Sequence, residues 1–227
     1  MPAKPVPQKI TAWSYSRWSL YDKCPFAAKC KHVLRLPEEK NAAMDRGNMI
    51  HKGAEDFIKR KEKKLLPELK LFKDELEQLR AGRAMAEEQW TFDNKWGNLG
   101  PSGWFAKEAW CRVKIDTGMM DTESNTLLII DWKSGKPRES YDKLLSLYGL
   151  SGFKVFNHVE RVIGRLMFTD TGDVVEEVYE RKEEKAMQKT WDQRVRPLLS
   201  DTTFAPKQGD HCRWCGFSKK KGGPCKY

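Results

Sequence analysis

Two features that mark membrane-bound and secreted proteins are missing from this sequence. No apolar run of about 18 residues occurs in the chain, so no transmembrane helix is predicted. The opening stretch, MPAKPVPQKI, contains lysine but no apolar core, so no secretory signal is predicted there. Charged residues make up 33% and hydrophobic residues 39% of the chain, which is typical of a globular protein. We therefore expect a cytoplasmic, globular protein without a membrane partner.

Acidic residues are fewer than basic residues in this chain. Lysine and arginine number 42 against 32 aspartates and glutamates, which gives a net charge of +10. Such an excess can simply keep a surface solvated, but it also suits a polyanion, because basic side chains displace counterions from nucleic acid. The nine tryptophans are expected mostly in the core, and some of them could stack on exposed bases.

Hydrophobic periodicity predicts helices first and strands later. Residues 1–12 contain three prolines and little pattern, so a flexible lead is expected there. Helices are predicted at 17–34 (after a Ser14 cap and with a break near Cys24 and Pro25), 44–64, 68–88, 141–158 and 176–199. Strands are predicted from 89 onward, at 106–120, at 126–132 and at 160–169. This order favours an α/β or α+β core.

A predicted β-hairpin brings two carboxylates near each other. The run LLIIDWKSGK leads four apolar residues into Asp131 and Lys133, and the turn DTESN precedes it. Counting outward from Glu123 places Asp116 opposite Ile130 and next to Asp131, within reach across the strands. Lys133 follows Asp131 by two residues, so both side chains lie on one face.

These carboxylates predict a divalent-metal site. Two neighbouring carboxylates repel each other unless a cation lies between them, and hard oxygen ligands favour Mg²⁺ or Mn²⁺. Such an ion can polarise a phosphodiester, while Lys133 orients the attacking water or stabilises the charge that develops on the phosphate. His51, on the second predicted helix, is a third candidate ligand, although an isolated helical histidine more often packs or is solvated.

Three of the six cysteines lie within the last sixteen residues. Cys212 and Cys215 form a C-x-x-C unit, Cys225 follows, and Cys24 lies near the other end of the chain. Without a secretion signal, disulfides are a poor first interpretation of such a pattern. Four thiolates can hold an iron–sulfur cluster.

Two alternatives to that cluster stay open. Zinc accepts the same four cysteines, or His211 in place of one of them. Reduced cysteines can also simply pack in the core, which is the expectation for the remaining Cys30 and Cys111.

Taken together, the motifs resemble those of the PD-(D/E)XK nuclease superfamily, in its RecB-like branch. The segments GNMIH (Gly47 to His51), KID (Lys114 to Asp116) and DWKSG (Asp131 to Gly135) stand in the order of that branch. The resemblance implies a restriction-endonuclease-like α/β core, a central mixed sheet flanked by helices, with a helical N-terminal region and a Cys-rich C-terminal tail. We expect a single nuclease domain over 13–227, divided into a helical region (13–88), a catalytic sheet core (89–170), a long helix (171–202) and a metal-cluster tail (203–227).

The resemblance also implies roles for individual residues. His51, Asp116 and Asp131 would ligate Mg²⁺ or Mn²⁺, the backbone carbonyl of Trp132 would add a ligand, and Lys133 would be the catalytic lysine.

Several positions depart from the family pattern or offer alternatives to it. Glu88 is the best candidate for a further acidic residue on the preceding strand, with Glu108 as its rival, and Asp121 is a less favoured alternative to Asp116. The family's Gln-x-x-x-Tyr motif is LLSLY here, in which Leu144 replaces glutamine and Tyr148 is retained as a possible DNA contact.

Iron–sulfur nucleases of the same branch, among them the AddB subunit and CRISPR-associated nucleases, carry one cysteine before the nuclease motifs and three after them. Cys24, Cys212, Cys215 and Cys225 match that layout, which implies a structural 4Fe–4S cluster, with zinc as the alternative.

The predicted function is a metal-dependent deoxyribonuclease, an exonuclease in DNA recombination, repair or end processing. DNA is the expected partner, with a recombination or CRISPR protein as a further possible one. The rival hypotheses are a non-catalytic DNA-binding module and a subunit that works only within a larger complex.

Overall fold

The structure, a computed structural model, describes residues 9–38, 42–137 and 141–227. The chain divides into two compact units, one comprising Met1–Lys40 with Thr190–Tyr227 and the other Asn41–Lys189. Of the predicted flexible lead, residues 1–8 lie outside the described residues, whereas Ile10 and Ala12 are buried. The single nuclease domain over 13–227 stays a prediction. Within the described ranges, no helix has the combination of length and hydrophobicity that crossing a bilayer requires.

In the first unit, a helix begins where the Ser14 cap predicts it. Helix α1 (Tyr15–Lys23) starts after Ser14, whose side chain accepts a hydrogen bond from the backbone N–H of Arg17. Cys24 ends this helix in an extended conformation, and α2 (Pro25–Ala28) follows, continued by a π-helical turn (Lys29–Val33). The predicted interruption near Cys24 and Pro25 is therefore confirmed.

Three tryptophans form the core of this first unit. The rings of Trp13 and Trp191 stack with 5.4 Å between their centroids, and Trp18 packs edge-on against Trp191 at 5.2 Å. Trp191 lies on α6 (Glu184–Ser200), the helix within which the boundary between the two units falls. Burial of these three rings accounts for part of the tryptophan excess in the sequence.

The second unit holds a mixed five-stranded sheet in the order β1-β2-β3-β4-β5. Its strands are β1 (Met85–Phe92), β2 (Cys111–Asp121), β3 (Thr126–Lys133), β4 (Arg161–Phe168) and β5 (Val174–Glu180). Only the pair β3 and β4 is parallel, and the connection between these two strands contains helix α5 (Asp142–Val155). Helices α3 (Ala42–Ile58) and α4 (Lys73–Ala81) precede the sheet in the chain. The predicted mixed sheet flanked by helices is confirmed.

Close packing fixes the helices on the sheet. The predicted apolar stripe of α3, including Ile50, Ala54 and Phe57, is buried against a cluster that contains Ile130 and Trp132 of β3. Helix α5 approaches β3 and β4 closely at Gly152. A Cβ atom there would lie 2.9 Å from the Leu127 side chain and 3.0 Å from that of Val162, so a larger residue would push the helix away.

The hairpin of β2 and β3 forms as predicted, but its register differs by one residue. The turn pairs Asp121 with Thr126, and the ladder runs to Thr117 opposite Ile130. The next residues along the two strands, Asp116 and Asp131, therefore face each other directly, instead of Asp116 facing Ile130. The turn is centred between Glu123 and Ser124, whereas the prediction centred it on Glu123. Every pairing between the two strands is therefore shifted by one residue.

Two helical predictions were wrong where a strand takes part of the segment. The predicted helix 68–88 is a 3₁₀ segment (Pro67–Phe72) followed by α4, and Met85 already begins β1. In the predicted helix 176–199, the residues up to Glu180 form β5, at the edge of the sheet. The many glutamates of β5 resemble a charged helix in sequence, but here they pair with basic residues of β4, as in Arg161–Glu180 at 2.9 Å.

Candidate functional site

The three residues that the sequence predicts as metal ligands lie close together, at the point where the pairing of β2 with β3 ends. One ligand atom from each of His51, Asp116 and Asp131 lies within 4.8 Å of the others. His51 comes from helix α3, Asp116 from the middle of β2, and Asp131 from the end of β3. Two strands and one helix, brought together by the buried face of α3, thus build one site.

Both oxygens of Asp116 are engaged. Its Oδ1 lies 3.0 Å from Nδ1 of His51, and its Oδ2 accepts the backbone N–H of Trp132 at 2.9 Å. Burial, together with the nearby charge of Asp131, raises the pKa of Asp116 to about 6, against the opposing effect of His51 and the Trp132 N–H. A proton therefore competes with any cation for this carboxylate near neutral pH.

Asp131 is the most buried group of the site, at 3% exposure. Its Oδ2 accepts two hydrogen bonds, from Nζ of Lys133 at 2.7 Å and from the hydroxyl of Tyr148 at 2.8 Å. Burial alone would raise the pKa of Asp131, but the charge and hydrogen bond of Lys133, together with the contacts of Asp116 and Tyr148, outweigh burial, so the pKa lies below its ordinary value. Asp131 is consequently ionised across the physiological range.

The two basic groups respond to the same carboxylates. Burial acts to lower the pKa of His51, but the hydrogen bond to Asp116 and the charges of Asp116 and Asp131 together outweigh burial and raise the pKa overall. Burial likewise acts to lower the pKa of Lys133, but the charge and hydrogen bond of Asp131, with the charge of Asp116, together raise it above the ordinary value. Lys133 is therefore a cation beside Asp131, in the place where the resemblance puts the catalytic lysine.

The loop after Lys133 is held by the end of the neighbouring parallel strand. The backbone N–H of Thr169 donates to the carbonyl of Lys133 at 2.8 Å, and Asp170 accepts the backbone N–H of Gly135 at 2.8 Å. Asp170 also binds Arg46 of α3, over 3.0 Å to Nη1. Gly135 has φ +86, a conformation that favours glycine over any residue with a side chain.

Sequence reasoning missed Asp170 and Arg46. Their contact spans 124 residues of sequence separation, and no local pattern announces it. One available signal was the aspartate that directly follows the strand predicted at 160–169. Had that strand been recognised as the parallel neighbour of β3, the ends of the two strands would have been placed at one edge of the sheet.

The further acidic candidates are not members of this convergent group. Among the described residues, the convergent group contains neither Glu88 nor Glu108. Glu88 lies on β1 opposite Ile115, and Glu108 is exposed. The alternative ligand Asp121 caps the hairpin turn, where it accepts the hydroxyl of Ser124 at 2.6 Å.

Tyr148 takes part in the site from within the core. The residue is 6% exposed, and its hydroxyl is directed at Asp131. Leu144, which stands where the family has glutamine, is buried four residues earlier on α5. The DNA contact of Tyr148 stays a prediction, whereas the observed contact is with a candidate metal ligand.

The donor set fits a hard divalent cation. One imidazole nitrogen and two carboxylates supply the ligand chemistry that Mg²⁺ and Mn²⁺ accept, and Mn²⁺ tolerates the imidazole well. In addition, Oδ1 of Asp131 is buried and has no hydrogen-bond partner within the described part of the chain. A buried anionic oxygen without a partner is costly, and a bound cation would satisfy it.

A second cluster of ligand-type residues lies in the first unit. Cys24, Cys212, Cys215 and Cys225 line one small cavity, together with His211. All six cysteines of the chain are free thiols. The sulfurs converge less tightly than the ligand atoms of His51, Asp116 and Asp131, which form the one such group within 4.8 Å in the described residues.

The thiols of this cluster affect one another's pKa values. Burial raises the pKa of Cys215, and the neighbouring thiols Cys24, Cys212 and Cys225 add to the effect. Burial and the same cluster raise the pKa of Cys30, which is fully buried beside it, to about 11. Cys111 is buried in β2 of the other unit, so both cysteines left over by the motif are buried thiols as predicted.

Comparison with known proteins finds solved structures that are similar in fold. No match was found among curated proteins. Similar solved structures include a candidate exonuclease from Eubacterium rectale, with 13% identity, a TM-score of 0.55 and coverage of 90% of this chain and 87% of that chain. Another is the protein SSO0001, with 13% identity, a TM-score of 0.48 and coverage of 96% of this chain and 87% of that chain. At such identity the likeness to the Eubacterium rectale protein concerns the fold.

The family profile of the PD-(D/E)XK nuclease superfamily matches residues 12–219, which is most of the chain. Together with the mixed five-stranded sheet flanked by helices, this match confirms the predicted restriction-endonuclease-like core. The chain therefore belongs to the PD-(D/E)XK nuclease superfamily.

Proposed function

We propose that this protein is a Mg²⁺- or Mn²⁺-dependent deoxyribonuclease that hydrolyses phosphodiester bonds as an exonuclease, in DNA recombination, repair or end processing. Membership of the nuclease superfamily supports the reaction class. The basic excess of the chain, +10, supports a polyanionic substrate. The exonuclease named among the similar structures supports the mode of action as an analogy of fold.

The residues of the site have distinct roles in this proposal. His51, Asp116 and Asp131 hold the divalent cation, which when bound would polarise the scissile phosphate and acidify an attacking water. Lys133 is a permanent cation beside Asp131 and stabilises the negative charge that develops on the phosphate oxygens. The N–H of Trp132 fixes the orientation of Asp116, and Tyr148 fixes that of Asp131.

The observation that carries the proposal is the convergence of His51, Asp116 and Asp131, together with a buried oxygen of Asp131, Oδ1, that has no hydrogen-bond partner in the described part of the chain. The test is an assay on end-labelled linear and covalently closed circular DNA with Mg²⁺, with Mn²⁺ and with a chelator. Release of nucleotides from linear DNA alone is expected, and Asp131→Ala should abolish it without loss of DNA binding. Binding without cleavage under any of these ions would instead favour the non-catalytic module, and cleavage of circular DNA would contradict exonuclease action.

We further propose that the four cysteines around the cavity of the first unit hold a structural metal centre, a 4Fe–4S cluster in preference to zinc. Support comes from the cavity that Cys24, Cys212, Cys215 and Cys225 share, although the first lies almost the whole chain away from the others. A centre of this kind would tie the start of α2 to the tail, and closing so long a loop constrains the unfolded chain.

The metal centre can be tested separately from cleavage. Anaerobically purified protein should carry iron and sulfide and show broad visible absorbance, whereas stoichiometric zinc without colour would select the alternative. Cys215→Ala should lose the metal and lower the melting temperature. Cys111→Ala is the control, because it removes a buried thiol of the other unit that does not line this cavity. Unchanged metal content in Cys215→Ala would contradict the assignment.

A further inference from the structure

Trp214 is the one tryptophan that the fold leaves in solvent. All nine tryptophans lie in the described ranges, and Trp214 is 73% exposed, while none of the other eight is classed as exposed. Burying an indole side chain is worth on the order of 2–3 kcal/mol, so an exposed one forgoes a large stabilisation. Single exposed apolar residues are common, and exposure by itself does not make a site. Its surroundings supply the second observation.

The backbone around Trp214 is well tied. The short 3₁₀ segment Asp210–Arg213 ends at Trp214, whose N–H donates to the carbonyl of His211 at 3.2 Å. The N–H of Cys215 donates to the carbonyl of Cys212 at 3.3 Å. The indole is therefore presented outward from a run of hydrogen-bonded turns that also carries two of the cavity-lining cysteines.

Positive charge is concentrated in the same segment. Residues 203–227 contain six lysines and arginines and a single aspartate, so their side chains carry +5 of the total of +10. Lys219 and Lys220 are exposed at the start of the next turn. The N–H of Ser218 donates to the carbonyl of Cys215 at 3.2 Å, which turns the chain between Trp214 and these lysines, five and six residues further along the sequence.

We propose that Trp214 with Lys219 and Lys220 forms a binding site for single-stranded DNA on the first unit. A base stacks on the exposed indole, and the two ammonium groups neutralise the adjoining phosphates. Unpaired DNA is the occupant that fits both features, because a duplex hides the faces of its bases and would engage only the charges. The inference rests on the proposed function. It adds a binding site for a single DNA strand, made of residues outside the nuclease motifs.

The experiment measures binding and not cleavage. Full-length protein carrying Asp131→Ala is titrated with a fluorescein-labelled 20-nucleotide oligodeoxythymidine, and with a duplex of equal length, over a range of salt concentrations. Trp214→Ala should weaken single-strand binding by about 5- to 150-fold, as the loss of one stacked base predicts, and should change duplex binding little. Trp214→Tyr should retain most of the affinity, because a phenol also stacks.

The lysines are tested by the salt dependence. Lys219→Ala with Lys220→Ala should lower the slope of log affinity against log salt by about 1.4, since each phosphate contact on a single strand contributes about 0.7. The matched control is Lys185→Ala with Lys189→Ala, which removes the same charge from exposed positions on α6. An equal fall in slope from both pairs would show a general charge effect and overturn the site.

The outcomes separate this site from the proposed function. Unchanged single-strand affinity in Trp214→Ala overturns the inference even if the unmodified enzyme cleaves DNA. Selective loss of single-strand affinity supports it even if no cleavage is ever observed. Metal content is measured in each variant, because loss of metal from the cysteine cavity could itself weaken DNA binding. If Trp214→Ala loses metal, the salt dependence of the variant with Lys219→Ala and Lys220→Ala decides whether the site exists.

Discussion

The hydroxyl of Tyr148 on helix α5 donates a hydrogen bond to Oδ2 of Asp131 at the end of β3, over 2.8 Å, inside the core. The contact links a buried helix to a candidate metal ligand. The other carboxylate oxygen, Oδ1, is buried and has no hydrogen-bond partner among the described residues.

Removing that hydroxyl should impair the metal site without unfolding the protein. Tyr148→Phe keeps the ring but loses a hydrogen bond to a charged group, worth about 1.5–3 kcal/mol. We expect the affinity for Mn²⁺, measured calorimetrically, to fall about tenfold. The control is Tyr21→Phe, which deletes a similar bond, 2.9 Å from the tyrosine hydroxyl to Asp201, in the other unit. Equal Mn²⁺ affinity in both variants would contradict the positioning role.

Lys133 should contribute to rate more than to substrate binding. Lys133→Ala removes the cation 2.7 Å from Asp131, and loss of one charge-stabilising group typically costs about 10²–10³ in kcat. The measurement is single-turnover cleavage of end-labelled DNA beside an equilibrium DNA-binding assay. Lys73→Ala, at a largely exposed ion pair with Glu77, serves as control. A Lys133→Ala enzyme with full activity would remove this residue from the mechanism.

Metal affinity should fall as the pH drops below about 6. The carboxyl of Asp116, whose pKa burial raises to about 6, is protonated below that value and then no longer ligates a cation. The raised pKa of His51 acts in the same direction. Calorimetric titration with Mn²⁺ from pH 5 to 8 should show affinity that rises and then levels off. Affinity independent of pH would show that these two groups do not bind the ion, and Asp121→Asn should leave the profile unchanged.

The raised pKa of Asp116 also affects the stability of the metal-free protein, which should fall as the pH rises. The folded state holds the Asp116 proton more tightly than the unfolded state, so the contribution of this group to the free energy of unfolding decreases as pH rises from about 4 to about 6. Denaturant unfolding of the metal-free protein and of Asp116→Asn should therefore diverge over this interval, with the unmodified protein losing relative stability. Parallel curves would contradict the raised pKa.

Asp170 should matter for activity although it lies outside the convergent ligand group. Asp170→Asn weakens its bonds to the N–H of Gly135 and to Arg46, which join the loop after Lys133 to α3. Because the pair is exposed to solvent, we expect only a small loss of stability, but a severalfold lower cleavage rate. Asp173→Asn is the control, since this exposed residue lies in the same turn between β4 and β5. Equal rates in the two variants would argue against a positioning role.

The charge-bearing residues of the site could be predicted from the sequence because their signals are local. The apolar run before Asp131 fixes a strand, and two-residue periodicity places Lys133 on the same face. The turn after Asp121 then brings β2 back beside β3, which nominates Asp116. The register was misjudged by one residue because turn geometry, and not hydrophobic pattern, decides it.

The edge strand β5 shows where local pattern fails. Its valines and glutamates alternate irregularly, and its exposure patterns suit a solvated helix as well as an edge strand. Pairing with β4 decides the matter, because backbone groups find their partners there and Arg161 and Arg165 meet Glu180 and Glu176.

The sequence by itself determined which groups carry charge and which strands and helix deliver them, since these follow from composition and short-range periodicity. Tertiary structure alone decided that Tyr148 binds Asp131, that Asp170 joins Gly135 to Arg46, and that Trp214 stays in solvent. Those relationships depend on how elements distant in the chain pack, and packing is a property of the assembled core rather than of any segment within it.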